Sequence, residues 1–190
     1  AAVGHDGMVT WVNLNSPISG DSPTSKMLNV SAKAFDLVLD QWQRIHVIPE
    51  TDQWVSLHSV DVATNTESTV NWILRAGSHG RLHPSGQALY TADNGLSPSD
   101  IARWNLAATG ASYVGDSPYH GDYGMCGDLW FSEDGLNIFT ACGNVFRASN
   151  DAGQDMRYTG SMSLSSGSYG YRILSLSQSA ETKEIALIEN

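Results

Sequence analysis

Apolar residues in this chain fall in short bursts of about four to eight positions, and nearly every burst is closed by Gly, Pro, Asn, Asp or Ser. Within the bursts apolar and polar positions alternate. Period-two alternation places successive side chains on opposite faces of a strand, so the pattern predicts strands joined by turns. No window of helical length carries an apolar stripe at the 3.6-residue period. Four pairs of bursts lie close enough to form hairpins. They are Leu37 to Asp40 with Ile45 to Ile48, Gly80 to His83 with Ala88 to Thr91, Asp128 to Phe131 with Asn137 to Thr140, and Arg172 to Ser175 with Glu184 to Leu187. Pro84-Ser85-Gly86 and Glu133-Asp134-Gly135 read as three-residue connections, type I turns whose closing Gly takes a left-handed conformation.

A second landmark recurs, an alternating strand that ends on Asn or Asp followed by an aliphatic residue. Its copies are Trp11-Val12-Asn13-Leu14, Ser59-Val60-Asp61-Val62 and Arg103-Trp104-Asn105-Leu106, with a weaker one at Phe146-Arg147-Ala148-Ser149. Asn13, Asp61 and Asn105 stand 48 and 44 residues apart. Two hairpin strands, a variable loop, the landmark strand and a fourth strand within ~45 residues make the unit of a β-propeller blade. The expected fold is all-β, a β-propeller with about four blades' worth of four-stranded antiparallel sheets in a single domain. The units run 1–33 (partial), 34–77, 78–124, 125–168 and 169–190 (partial). The first strand expected is the third of its unit, near Met8, and the last is the second of its unit. A closed four-bladed ring, an arc completed by a second copy and part of a larger propeller all fit this phase. Ala1 is no initiator Met, as expected of a processed form or of a piece of something longer.

Leu82-His83-Pro84-Ser85-Gly86-Gln87-Ala88-Leu89-Tyr90 resembles the apolar-x-Pro-Asp-Gly-x-x-Leu-Tyr hairpin of bacterial YVTN-type and WD-like β-propellers. Asp61-Val62-Ala63-Thr64-Asn65 and Asn105-Leu106-Ala107-Ala108-Thr109-Gly110 are similar to that family's Asp-Leu-Ala-Thr-Gly strand endings. The resemblance implies a blade fold and no particular activity. Seven blades at this period would need roughly 315 residues, more than the 190 present.

Twenty acidic against ten basic residues give a net charge of −10, so nucleic acid and anionic membrane surfaces would meet a repulsive field with no basic patch to anchor them. No apolar run approaches the ~20 residues of a membrane-spanning helix. No nucleophile elbow, phosphate-cradling loop or dinucleotide fingerprint is present. Three of the six His fall within strands, where a hydrogen-bonded packing role suffices. Trp42 and Trp54, in a turn and a loop, are the aromatic residues placed for ligand stacking.

In a propeller the second-to-third strand loops and the links between units share one face. The longest polar segment there is Gly115 to Gly124, which carries Tyr119, His120, Asp122 and Tyr123. These four, with Asp93 and Asn94 from the preceding unit, are the candidate ligand-binding residues. His120 and Asp122, with Asp93, Asp100 and Asp128, could also form an acidic mouth for a metal. Turn capping by Asp and Asn accounts for the same residues, and no fixed-spacing ligand set appears. No cofactor is therefore expected; calcium is the one ion that suits the acidic loops. The reading is a non-catalytic secreted or cell-surface module that binds a protein, glycan or small ligand, with self-association or a missing propeller remainder as further partners. A metal-dependent hydrolase or lactonase with its site at the channel mouth is the alternative.

The two cysteines add a compartment. A three-residue connection at 133–135 puts Ser132 opposite Leu136 and, by the same register, Cys126 opposite Cys142. Directly opposed residues have Cβ atoms ~4.5–5.5 Å apart, close to what a disulfide needs. A cross-strand disulfide is expected, and with it an extracytoplasmic setting, secreted, periplasmic or at the cell surface.

Overall fold

A computed structural model describes residues 2–4, 7–13, 25–51, 53–94, 98–164 and 172–190, without the side chains of 2–4 and 71–73. The expected boundary at 168–169 and Leu14 of the first landmark lie outside the described residues. Every regular element described is a β-strand. The chain divides into two compact units, Ala1–Gly77 and Ser78–Asn190.

The first unit holds a three-stranded sheet, β1 (Ala2–Gly4), β2 (Met8–Val12) and β3 (Ser25–Asn29), and a four-stranded one, β4 (Ala34–Leu39), β5 (Arg44–Pro49), β6 (Trp54–Asp61) and β7 (Glu67–Arg75), each in chain order and antiparallel. Strand β1 was not expected; it pairs Ala2 with Thr10 and Gly4 with Met8, so the first strand is one position earlier in its unit than Met8. β5 is paired on both edges and buries five of its six positions, which is why Ile45-His46-Val47-Ile48 reads as a run and not an alternation. The landmark at the end of β6 has a local cause. Asp61 Oδ1 accepts hydrogen bonds from the amides of Ala63 (2.9 Å) and Thr64 (3.0 Å), an Asx turn that reverses the chain into β7. The core is Val9, Leu28, Ile45, Val47, Val60 and their neighbours.

The second unit repeats the plan with β8 (Gly80–Leu82), β9 (Ala88–Ala92), β10 (Ile101–Ala107) and β11 (Gly110–Asp116), then β12 (Leu129–Phe131), β13 (Asn137–Thr140), β14 (Asn144–Arg147) and β15 (Tyr158–Ser161), and finally the pair β16 (Ile173–Ser179) and β17 (Glu184–Glu189). Inner strand β9 is buried at all five positions, whereas edge strand β11 alternates. Tyr90, Ile101, Met125, Leu129, Ile138 and Phe146 anchor one core shared by the third and fourth sheets.

The tight hairpins correct one expectation. Gly86 and Gly135 both take the left-handed conformation at φ 71° and close a turn onto the carbonyls of His83 and Ser132 (2.8 Å each). The connections nevertheless contain four residues, not three, because His83 pairs with Ala88 (2.8 Å) and Ser132 with Asn137 (3.0 Å). The β12–β13 register is therefore one residue removed from the expected one, pairing Leu129 with Thr140 and Phe131 with Ile138. Cys126 does not stand opposite Cys142 in the ladder. It precedes β12 in a turn, left-handed at φ 61° and followed by Gly127 at φ 82°. That turn brings the two together, and Cys126 and Cys142 form a disulfide with Cα atoms 5.2 Å apart.

Candidate functional site

Strand direction places the β9–β10 loop and the β11–β12 loop at the same end of the third and fourth sheets, and the two loops bind each other. Gly127 N–H donates to the Asp93 carbonyl (2.8 Å), Met125 N–H to Ser99 Oγ (3.2 Å), and Gly121 lies against Pro98. Asp93 is buried and its Oδ2 accepts the Asp100 amide (3.2 Å), while exposed Asn94 packs its Cβ against Gly127. The candidate residues 93 and 94 thus stand beside the longer loop.

The base of that loop is aromatic. Tyr119 and Tyr123 are half-buried and meet edge to face, with ring centroids 5.0 Å apart. Tyr123 stacks on Tyr158 at 4.1 Å and meets the edge of Phe146 at 5.7 Å. The Tyr119 hydroxyl accepts the Tyr158 amide (3.0 Å). Asn144 Nδ2 donates to the Gly124 carbonyl (2.8 Å), and the disulfide pins the loop's exit. Sequence reading places all four of Tyr119, His120, Asp122 and Tyr123 toward solvent; the structure turns the two tyrosines largely inward and leaves His120 and Asp122 exposed.

Above this base the charged groups converge. Ligand atoms of Asp100, Asp116 and His120 all lie within 4.8 Å of one another. Asp100 is buried; its Oδ1 accepts the Ser117 hydroxyl and its Oδ2 lies 3.5 Å from His120 Nδ1. Burial pushes the Asp100 carboxyl above its ordinary value, the Ser117 hydrogen bond opposes this, and the charges of Asp116 and Asp122 push it further up. Asp116, the last residue of β11, is a member that sequence reading missed. It follows a strand, and only the β10–β11 register brings it back over Ala102, next to Asp100. Asp128, expected at the same mouth, is instead engaged by the Arg81 guanidinium at 2.6 Å.

Two other places look chemical and are not open sites. Asp40 Oδ2, His46 Nε2, His46 Nδ1 and Ser59 Oγ are linked at 3.0 and 2.8 Å, the connectivity of a Ser-His-Asp triad, but all three residues are buried in the first unit's sheet. They form the hydrogen-bonded packing expected of a strand His. Trp54, placed for stacking, already carries the Arg75 guanidinium 4.5 Å from its ring centre.

Successive four-stranded antiparallel sheets built from strand–turn–strand repeats define the class: this is a β-propeller fold. Solved structures share it. The chain is similar to a candidate 6-phosphogluconolactonase from Bacteroides fragilis (TM-score 0.53, 14% identity, 80% of this chain and 46% of that one). It is also similar to the hydrazine synthase of Kuenenia stuttgartiensis (0.54, 15%, 82% and 45%). A third is an auxiliary nutrient binding protein from Bacteroides thetaiotaomicron (0.52, 9%, 86% and 47%). The chain spans about half the length of these structures. No protein-family model matches it and no curated protein matches it. At such identities the likeness is one of fold.

Proposed function

We propose that the chain is a non-catalytic binding module of an oxidising, extracytoplasmic compartment that meets a protein, glycan or small ligand through the loop face around Tyr119, His120, Asp122, Tyr123, Asp93 and Asn94. One observation carries the reading: a single loop joins exposed His120 and Asp122 to a base fixed by the disulfide, the stacked tyrosines and the Asn144 bond. A surface already ordered loses little conformational entropy on binding. The disulfide supports the compartment, and a nutrient binding protein among the similar folds is compatible with the role.

The convergence of Asp100, Asp116 and His120 favours a second reading, a metal-dependent hydrolase or lactonase, since a catalytic zinc takes three such ligands. Two assays separate the readings: binding to glycan and peptide arrays, and hydrolysis of 6-phosphogluconolactone with zinc or calcium added. Each is run on the wild type and on His120→Ala/Asp122→Ala. Array binding lost in the variant, without turnover in either protein, is the expected result. Metal-dependent turnover lost in the variant establishes the enzyme instead, and array binding equal in both proteins removes the loop from the site.

A further inference from the structure

The β8–β9 and β12–β13 turns and the β14–β15 loop lie at the other end of the same sheets, and between them is a cleft of about 190 Å3. His83, Tyr90 and Arg103 from the third sheet and Asp134, Leu136 and Asn150 from the fourth line it. Its space equals that of about six waters at ~30 Å3 each, below the ~300–1,000 Å3 of drug-sized sites. A single small ring fits.

Arg103 forms one wall and is only 7% exposed. Its Nη1 donates to Asp155 Oδ2 (2.8 Å) and the Ser149 carbonyl, its Nη2 to Asn150 Oδ1 (3.0 Å) and Asn105 Oδ1 (3.3 Å), and the guanidinium lies 5.5 Å from the Tyr90 ring centre. Its Nε, itself buried, has no hydrogen-bond partner among the described residues. Buried donors are nearly always paired, so Arg103, held in the wall of the cleft, keeps one donor unmatched. We infer that this cleft is a second binding site, for a neutral, hydroxyl-rich ligand of monosaccharide size.

The charges select that class. Asp155 neutralises Arg103. Exposed Asp134, whose carboxyl the Ser132 hydroxyl and the Leu136 amide hold below its ordinary value, stays ionised at the rim. An anion is repelled there, and a cation offers nothing to a waiting N–H donor. A hydroxyl does both jobs, accepting from Arg103 and donating to Asp134 or Asn150, while the aromatic lining of His83 and Tyr90 suits the apolar C–H side of a sugar.

The test is NMR on the whole chain, following the Arg103 Nε–Hε resonance and the Gly135, Leu136 and Asn150 amides. D-glucose, D-galactose, D-mannose and N-acetyl-D-glucosamine are titrated singly, with sodium acetate as the anionic probe. At least one sugar should move these signals saturably and acetate should not. Ala88→Met, which fills the cleft from buried Ala88 in its lining, should weaken that binding at least tenfold. Asn150→Ala, at an exposed position and with folding verified by its amide spectrum away from the cleft, should weaken it several-fold. His120→Ala/Asp122→Ala should bind the sugar like the wild type, because the loop face is a separate site. Silence from all four sugars, a response to acetate alone, or unchanged binding by Asn150→Ala overturns the inference.

Discussion

Replacing both Cys126 and Cys142 with Ser removes the covalent anchor of the loop face and little else. Residue 126 keeps its left-handed φ of 61° with either side chain, so backbone strain is common to the two proteins. The bond spans 16 residues, and the chain-entropy relation assigns about 3 kcal/mol to a loop of this size, mostly by restricting the unfolded ensemble. For a chain this long, ~2–4 °C accompanies each kcal/mol, so the melting temperature should fall by roughly 6–12 °C. Urea denaturation supplies the free energy and amide hydrogen exchange the location: residues 119–127 should exchange faster while the buried β9 ladder keeps its protection. Titration of the unfolded, unreduced wild type that finds two free thiols would refute the reasoning outright. A fall of less than about 2 °C would refute the entropic account.

Asp155→Ala leaves Arg103 buried without its counter-charge and removes the acceptor of the Tyr90 hydroxyl (3.1 Å) and the Ser149 amide (2.9 Å); a loss of about 3–5 kcal/mol is expected in urea denaturation. His120→Ala/Asp122→Ala touches solvent-facing side chains and should stay within ~0.5 kcal/mol of the wild type, a value that calorimetry checks. Burial raises the Asp40 carboxyl, but the hydrogen bonds from His46 and the Arg44 and Trp42 amides outweigh it and hold it below the ordinary value. A depressed carboxylate contributes stability that is complete above its unfolded value of ~4 and lost as the pH falls through the folded one. Melting temperature should therefore decline on acidification in that range, and less steeply in Asp40→Asn; parallel curves would contradict this. Gly135→Ala puts a Cβ 2.8 Å from His83 Nε2 at φ 71° and should cost more than ~1 kcal/mol by thermal melting.

Fold class was legible because its signals are local and repeated. The β8–β9 and β12–β13 turns close on Gly86 and Gly135 in the left-handed region, the side chain of Asp61 caps its reversal by accepting the Ala63 and Thr64 amides, and such needs bring similar residues back from unit to unit. The unforeseen β1 is only three residues long, Ala2–Gly4, too short to show an alternation, even though Gly7 is left-handed at φ 75° directly before β2. Register was harder: whether Leu136 belongs to the connection or to the strand depends on which carbonyl the Ser132 amide meets, and composition is silent on that. Within the site, His120 and Asp122 were visible as polar residues in a polar loop. Asp116 was not, because its proximity to Asp100 arises from pairing between β10 and β11 across a bulge at Arg103/Trp104. The inward turn of Tyr119 and Tyr123 likewise depends on Phe146 and Tyr158, supplied from the next sheet.

The four-residue β12–β13 connection has a bearing on which lengths of chain this protein tolerates. Surface turns ordinarily absorb insertions and deletions at little cost. Here, deleting one residue would slide β12 by one position along β13, exchanging the sides on which Leu129 and Trp130 stand. The same slide would move Cys126 relative to Cys142, whose disulfide here is closed by the turn at Cys126 and Gly127 and not by opposition in the ladder. Turn length at 133–136 is thus a remote determinant of the oxidative chemistry at 126 and 142: a one-residue deletion there should change the geometry in which the two cysteines meet while leaving both in place.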